Sequence, residues 1–385
     1  MVNALQHPSG ESPMSKKYKV IDCDGHVAEP FELYREYIAP EFRERVPQRI
    51  EANGQRVVIV DGEEYPNFVK YGGRPLGMER DAQIARPVQR SAIATGGVDP
   101  HVRIQDMDRE GIDIAVLYPS GTTSMCAVQD PYLESALYQA YNRWLADYCS
   151  PYPNRLKGLV MISMRHPELG VAEILRVAQE SWVVGILISP HMDDFNLDDP
   201  RLHPIWQTAQ ELDLPIGIHA GSGRPPYAIG TEESSQNLFL MHAMAHPFEQ
   251  MRAIASLIGG GVFDRYPQLR ITFTEAGIGW VPWWLDRLEQ HAQTFPNHVP
   301  LMKKRPKEHL SSGQCFFCCL PEEGTLEAVV AQIGEDSVVY GSDYPHHDCG
   351  FPTTVTQIEQ RQNLSDTAKS KIFWDNPLKL YPRLQ

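Results

Sequence analysis

The sequence predicts a parallel (β/α)8 TIM barrel with a long insertion after the first strand. Three observations support this fold class. From residue 104 onward, short apolar runs of strand length alternate with longer amphipathic runs of helix length, which is the pattern of parallel strands joined by crossover helices. Eight such apolar runs occur along the chain, as a barrel of this kind requires. Polar side chains able to bind metal stand at the ends of several runs, where barrels place their chemistry.

Length and composition agree with one large domain. The chain has 385 residues, 42% of them hydrophobic, which suits a single barrel with insertions. No segment reaches the roughly 18 uninterrupted apolar residues of a membrane span, and the net charge of −14 argues against a nucleic-acid partner. Residues 1–17 are polar and lack the apolar core of a signal peptide. They are predicted to be a flexible tail ahead of a single domain, 18–385. Seven cysteines, an odd number without a secretory signal, predict reduced thiols in a cytoplasmic protein.

The first predicted strand, 18–22, leads into Asp24 and His26. Residues two apart on an extended chain share a face, so both side chains can point at one ion. Residues 30–103 are rich in proline, glycine and charge, with little periodicity. So long a connection is usually functional, and it is predicted to be a lid or a substrate-binding insertion. Within it, residues 57–65 predict a small hairpin.

The other elements follow in alternation. Seven further strands are predicted at 112–118, 158–163, 183–189, 215–219, 269–275, 315–319 and 337–340. The helices between them are predicted at 103–111, 131–149, 167–180, 204–212, 238–258, 281–291 and 325–333. Within the predicted strand 315–319, Cys315 and Cys318 have the spacing of a zinc or redox pair. Residues three apart on a strand face opposite sides, so core packing is favoured for them.

The carboxyl ends of the predicted strands hold the candidate metal ligands. They are Asp24 and His26 on the first strand, His219 on the fifth, Glu275 on the sixth, and Asp343 with His346 on and after the eighth. A hydrogen bond at a strand end would explain any one of them. Six such groups on four strands of one barrel predict a metal site. Glu275 and Asp343 are the predicted catalytic residues.

Two further residues are candidates. Asp348 follows the eighth strand in a loop broken by Pro345, and it can bind the metal or orient a ligand. His242 and His246 lie four apart on a predicted helix and can face the barrel mouth. Of these two, His246 is the candidate ligand or substrate contact. No G-x-S-x-G elbow and no P-loop occurs in the sequence.

These residues resemble the amidohydrolase-related (amidohydrolase 2) family, from about residue 18 to the C-terminal segment 376–381. Family members are metal-dependent (β/α)8 barrels. Their first-strand pair is commonly H-x-H, matched here by Asp24 and His26, and their fifth- and eighth-strand ligands are matched by His219 and Asp343. The family's decarboxylases carry a histidine after the sixth strand, where this chain has Glu275. The fourth strand also lacks the lysine of the superfamily's binuclear hydrolases.

The function suggested by the residues is oxidative. Carboxylates at 24, 275, 343 and 348 with several histidines match the ligand stoichiometry of di-iron sites, and hard oxygen donors with imidazole suit iron or manganese. Residues 274–282 and 342–348 together resemble the subgroup containing the TIM-barrel non-haem di-iron monooxygenase of platensimycin biosynthesis. This resemblance implies two Fe ions, an external electron donor and hydroxylation of an organic acid or its CoA thioester.

Two alternatives remain open. The first is a mononuclear Zn or Mn hydrolase, in which Glu275 or Asp343 is the general base for a metal-bound water. The second is a non-oxidative decarboxylase acting on a small carboxylated or cyclic substrate. On every alternative the partner is a small molecule, and a homo-oligomer is expected.

Overall fold

The computed structural model describes residues 17–52, 55–65, 96–220, 229–230, 238–346 and 349–385. The strands within these residues are numbered in chain order. Eight of them form one parallel sheet, hydrogen-bonded in the order of the chain. These are β1 (Ile21–Val27), β5 (Ile114–Pro119), β6 (Leu156–Met161), β7 (Val183–Ile188), β8 (Ile216–Ile218), β9 (Ile271–Phe273), β10 (Cys315–Cys319) and β11 (Val338–Tyr340).

The sheet closes on itself at the carboxyl ends of its first and last strands. The backbone N–H of Asp343 donates to the carbonyl of Asp24 at 2.9 Å, and the N–H of His26 donates to the carbonyl of Tyr344 at 2.6 Å. Because these bonds join β1 to the segment that follows β11, backbone hydrogen bonds hold two of the predicted site segments together. The predicted (β/α)8 barrel is confirmed.

Helices cover the outside of the barrel. They are α1 (Leu33–Tyr37), α2 (Pro100–Glu110), α3 (Pro131–Cys149), α4 (Pro167–Val177), α5 (His203–Glu211), α6 (Leu238–Gly259), α7 (Val262–Arg265), α8 (Val281–Thr294), α9 (Glu308–Ser311), α10 (Leu326–Ile333), α11 (Thr354–Glu359), α12 (Asp366–Ser370) and α13 (Asn376–Leu380). The local sequence sets their ends. Asp130, for example, accepts hydrogen bonds from the first turn of α3 at Tyr132 and Leu133, and proline occupies the first position of that helix. None of the helices in the described ranges is long and apolar enough to cross a membrane.

The predicted insertion and tail are described only in part. Strands β2 (Gln48–Ala52), β3 (Gln55–Val60) and β4 (Glu63–Tyr65) form a small antiparallel sheet, so the hairpin predicted at 57–65 is confirmed. Residues 1–16 of the tail and residues 53–54 and 66–95 of the insertion lie outside the described residues. The lid role of the insertion stays a prediction.

The barrel interior is filled with apolar and aromatic side chains beneath the candidate site. Tyr118 of β5 is fully buried, and its hydroxyl lies 3.2 Å from the hydroxyl of Tyr381, which follows α13. The ring of Tyr118 packs 5.8 Å from that of His26. The floor of the site is therefore built partly from the C-terminal segment. Cys315 and Cys318 are also buried and free, and burial raises the pKa of both thiols.

One buried carboxyl outside the site makes stability depend on pH. Glu134 of α3 is 1% exposed, and burial raises its pKa to about 8, although Ser163 donates a hydrogen bond to it. Between pH of about 4.5 and 8, the folded protein keeps a proton that the unfolded chain releases. Stability therefore falls as pH rises through this window, by an amount on the order of a few kcal/mol, and levels off above it.

Glu134→Gln should remove this dependence, because a neutral amide keeps the contact with Ser163 and does not titrate. The free energy of urea unfolding, measured at intervals from pH 5 to 9, should favour the variant over the parent increasingly up to about pH 8. Glu211→Gln, at an exposed position on α5, is the matched control and should show no such trend, because its carboxylate accepts from the neutral amide of Gln207. A parent–variant difference that stays constant with pH would contradict the assignment.

Candidate metal centre

The first pair of candidate ligands lies inside β1, which is longer than predicted. The strand continues to Val27, and its register against β5 shifts between Asp22 and Gly25. Asp24 and His26 are both fully buried. The Nδ1 atom of His26 lies 3.2 Å from the carbonyl oxygen of Pro119. A carbonyl only accepts, so Nδ1 carries the proton and Nε2 presents its lone pair to the barrel axis.

His219 is oriented in the same way. It follows β8 directly, and its Nδ1 lies 2.8 Å from the carbonyl oxygen of Ala220, which leaves Nε2 as the nitrogen that faces inward. The His26 and His219 rings meet edge to face with centroids 4.9 Å apart. Both imidazoles therefore direct Nε2 toward the same region, as two ligands of one ion would.

Glu275 and Asp343 stand at positions of strained backbone. Their φ angles are +50° and +56°, in the left-handed region that residues other than glycine rarely occupy. Such strain costs on the order of 1–3 kcal/mol and collects at functional sites. The backbone N–H of Glu275 donates to Oδ2 of Asp24 at 3.1 Å. The side chain of Asp24 is thereby bonded to the segment after β9, and its backbone carbonyl is bonded to the segment after β11.

The candidate ligands form overlapping groups. Donor atoms of Asp24, His26 and His219 lie within 4.8 Å of one another, and so do donor atoms of His26, Glu275, Asp343 and His346. The buried atoms Asp24 Oδ1 and His26 Nε2 have no hydrogen-bond partner, whereas His219 Nε2 lies 2.6 Å from Oε2 of Glu275. Unpaired polar atoms are expensive to bury. A divalent cation fits this donor set, since it would satisfy both unpaired atoms and suits oxygen and imidazole donors.

The electrostatics of the site also favour a cation. Burial raises the pKa of Asp24 well above its usual value, and the nearby Asp343 and Glu275 charges add to the effect. Burial lowers the pKa of His26 well below its usual value, helped by His346 and His219. A bound divalent ion would stabilise the carboxylate of Asp24 and the neutral form of His26 together.

Glu275 lies at the centre of a group of histidines. Its Oε2 is 2.6 Å from Nε2 of His219, and its Oε1 is 3.4 Å from Nε2 of His246 and 3.9 Å from Nε2 of His242. Burial would raise the pKa of Glu275, but His246 and His219 outweigh it and hold that pKa well below its usual value. Burial lowers the pKa of His246 to about 4. With both pKa values lowered, Glu275 is a carboxylate and His246 a neutral ring at neutral pH.

The structure thus brings the six predicted ligands together and places His246 beside them. His346 is less buried than the others, and its Nδ1 lies 2.6 Å from Oδ1 of Asp343. Asp348 lies outside the described residues. His242 joins His246 because side chains four apart share one face of a helix.

Several supporting residues gave no signal in the sequence. Gln250 of α6 donates from Nε2 to the carbonyls of Ile218 and Thr274 at 2.8 and 2.9 Å, which fixes the ends of β8 and β9. Asp22 accepts from the backbone N–H groups of Ser342 and Asp24 at 2.9 and 3.2 Å. Single polar residues with no repeating pattern cannot be assigned such roles before the fold is known.

Comparison with known proteins identifies the family. Residues 21–383 match the amidohydrolase 2 family model, described as amidohydrolase. The chain belongs to the amidohydrolase 2 family. The chain is 31% identical over 284 residues to the 2-amino-3-carboxymuconate-6-semialdehyde decarboxylase of Dictyostelium discoideum, a match that covers 73% of this chain and 76% of that protein.

Solved structures give the same fold. An amidohydrolase from Mycobacterium avium subsp. paratuberculosis superposes with a TM-score of 0.76 at 22% identity, covering 95% of this chain and 98% of that one. The 5-carboxyvanillate decarboxylase of Novosphingobium aromaticivorans, with bound manganese and 3-methoxy-4-hydroxy-5-nitrobenzoic acid, superposes with a TM-score of 0.70 at 24% identity. That match covers 95% of this chain and 97% of the other.

The predicted family is confirmed, but the predicted di-iron monooxygenase is wrong. The relative that is 31% identical is a decarboxylase. The predictions of an oxidoreductase, of two iron ions and of an external electron donor are therefore wrong as well. The physical reason is that the sequence argument counted every carboxylate at the mouth as an iron ligand. Asp24, Glu275 and Asp343 can equally surround a single ion. Of the cofactor prediction, only the divalent metal is retained.

Proposed function

We propose that this member of the amidohydrolase 2 family is a non-oxidative decarboxylase that uses one divalent metal, preferably Mn2+, and acts on a small aromatic or conjugated carboxylic acid. The observation that carries the proposal is the 31% identity to a decarboxylase over about three quarters of both chains, joined to the unpaired buried atoms Asp24 Oδ1 and His26 Nε2 in β1. Manganese is preferred because the donors are carboxylate oxygens and imidazole nitrogens, and because manganese is bound in the structural neighbour.

On this proposal Asp24, His26, His219 and Asp343 hold the ion. When bound, it supplies the positive charge that positions the substrate's carboxylate and stabilises negative charge developing beside it. The two histidines are ready to bind because the carbonyls of Pro119 and Ala220 already hold their tautomers. Little reorganisation is then needed when metal or substrate enters.

The reaction breaks the bond between the carboxylate carbon and the substrate carbon. The electron pair stays on the substrate carbon, CO2 leaves, and a proton must take its place. Glu275 and His246, with their nearest atoms 3.4 Å apart, can relay a proton taken from solvent, since neither holds a spare proton at neutral pH. The resemblance to the family's decarboxylases implies a histidine at the position of residue 275. A side chain that can pass on a proton at this position would therefore suit proton delivery to the substrate carbon.

The direct test is anaerobic turnover of the Mn2+-loaded protein. The substrates would be 2-amino-3-carboxymuconate-6-semialdehyde, 5-carboxyvanillate and 2,6-dihydroxybenzoate, with CO2 release as the measurement. At least one acid should be decarboxylated at a rate independent of O2. In D2O the product should gain one deuterium at the carbon that lost the carboxylate. Chelation should abolish turnover and Mn2+ should restore it.

Two results would overturn the proposal. One is turnover that requires O2. The other is the absence of CO2 from every acid tested with protein that holds a full complement of metal. The chelated protein, assayed in parallel, measures the uncatalysed decarboxylation of each acid.

A further inference from the structure

The loop that follows β5 lies beside His346 and is fixed by a carboxylate from another strand end. Glu29, two residues beyond β1, accepts from three consecutive backbone N–H groups of this loop. Its Oε2 accepts from Ser120 at 3.1 Å and from Gly121 at 3.0 Å, and its Oε1 accepts from Thr122 at 3.0 Å. Successive N–H groups that converge on one anion form a nest. The position of the loop relative to β1 is therefore set by charge-assisted bonds.

The Ser120 hydroxyl contacts two partners from this fixed position. It donates to the carbonyl oxygen of Val27 at 2.7 Å, and it lies 2.9 Å from Nε2 of His346. A hydroxyl has only one proton to donate. Because that proton is directed to Val27, the serine oxygen must accept from His346, and Nε2 of His346 carries a hydrogen.

The other nitrogen of His346 faces the metal ligands. Its Nδ1 lies 2.6 Å from Oδ1 of Asp343 and 4.0 Å from Oε1 of Glu275. A carboxylate oxygen only accepts, so the shorter contact requires either a hydrogen on Nδ1 or a cation shared by the two atoms. His26 and His219 show the opposite arrangement, since their Nδ1 atoms bond backbone carbonyls and their Nε2 atoms face inward. Two adjacent residues at the end of β5 thus orient two site histidines in opposite senses. The Pro119 carbonyl orients His26, and the Ser120 hydroxyl orients His346.

We propose that Ser120 is a positioning residue that holds His346 in its Nε2–H tautomer, so that Nδ1 binds the divalent cation beside Asp343 as a ligand additional to Asp24, His26 and His219. The inference concerns metal binding. It rests on the proposed function only for the presence of a divalent metal. Residues that orient metal-binding histidines typically change metal affinity by about 10- to 100-fold when removed, and an effect of that size is expected here.

Three variants of the full-length chain test the assignment. Ser120→Ala removes the acceptor for His346 while leaving the backbone N–H that binds Glu29. Ser120→Thr keeps a hydroxyl at the same position. Ser124→Ala is the matched control, because that hydroxyl bonds the carbonyl of Gly121 within the same loop. Ser120→Ala should weaken Mn2+ affinity by about tenfold or more, whereas the threonine and control variants should stay within about twofold of the parent.

A spectroscopic readout separates positioning from simple loop stability. In Zn2+-loaded protein labelled with 15N-histidine, the His346 signals can be assigned by their loss in His346→Gln. They should show hydrogen on Nε2 and a metal-bound Nδ1, and Ser120→Ala should shift them while the His26 and His219 signals stay in place. Hydrogen on Nδ1 of His346 in the parent would overturn the proposal, as would unchanged affinity in Ser120→Ala. Neither measurement needs a substrate, so failure of the decarboxylase assay leaves this inference standing.

Discussion

His219→Ala is expected to abolish metal binding and, with it, decarboxylation. The side chain supplies a buried Nε2 that the Ala220 carbonyl holds toward the site, 2.6 Å from Oε2 of Glu275. Changing residues that merely orient a ligand lowers metal affinity by about 10- to 100-fold, so removal of a ligand itself should exceed that range. Metal content after desalting should fall from about one ion per chain to a small fraction of that. Far-UV circular dichroism should not change, because the variant keeps the backbone N–H that bonds the carbonyl of Ile188 at the end of β7.

His291→Ala is the matched control. This residue is an exposed histidine on α8 whose Nδ1 bonds the carbonyl of Arg287, and its removal should leave metal content and turnover intact. Full metal content in His219→Ala would exclude His219 as a ligand and would undermine the site as assigned. Loss of the circular dichroism signal would call for His219→Gln, which preserves more of the side-chain volume.

Glu275→Gln is expected to separate proton delivery from metal binding. The amide keeps the size of the side chain and can occupy the same backbone, but it cannot share a proton with His246. General acid catalysis contributes about 100- to 10,000-fold to rate, so kcat should fall by a factor in that range while metal content stays near that of the parent. The measurements are steady-state CO2 release and metal analysis of the same preparation.

The outcome of Glu275→Gln discriminates between two roles. Loss of metal would make Glu275 a ligand, and unchanged kcat would remove it from proton delivery. Glu275→His supplies the comparison within the same position, since the resembling decarboxylases carry histidine there. It should retain turnover within about tenfold of the parent, because imidazole can also donate a proton near neutral pH.

Much of the barrel could be predicted because its strands are short apolar runs bounded by turn residues. The strand predicted at 315–319 has the observed bounds, whereas β8 and β9 end one and two residues earlier than predicted. His219 and Glu275 therefore leave the sheet and turn inward. The convergence of Asp24, His219 and Asp343 also follows from the fold class, because parallel strands bring their carboxyl ends to one face.

The supporting contacts and the reaction could not be predicted. Glu29 and Ser120 act through backbone groups of segments far apart in sequence, and no spacing rule connects them. The tautomers of the site histidines depend on which carbonyl or hydroxyl lies nearby, which only the folded chain determines. Ligand types constrain the metal, but they do not determine whether the bound substrate loses CO2 or gains oxygen. The oxygenase prediction failed at that step.

The left-handed backbone at residues 275 and 343 has a consequence for evolvability. The strain lies in φ angles of +50° and +56°. The rest of the fold must offset its free-energy cost for every side chain at these positions except glycine, which adopts such angles without strain. Replacing one unbranched residue by another at these positions adds no new backbone cost, whereas β-branched residues would add one. Ancestral or laboratory sequences could therefore exchange the reactive group at 275 or 343 without rebuilding the barrel. Saturation libraries confined to these two codons should sample new chemistry on an almost unchanged fold.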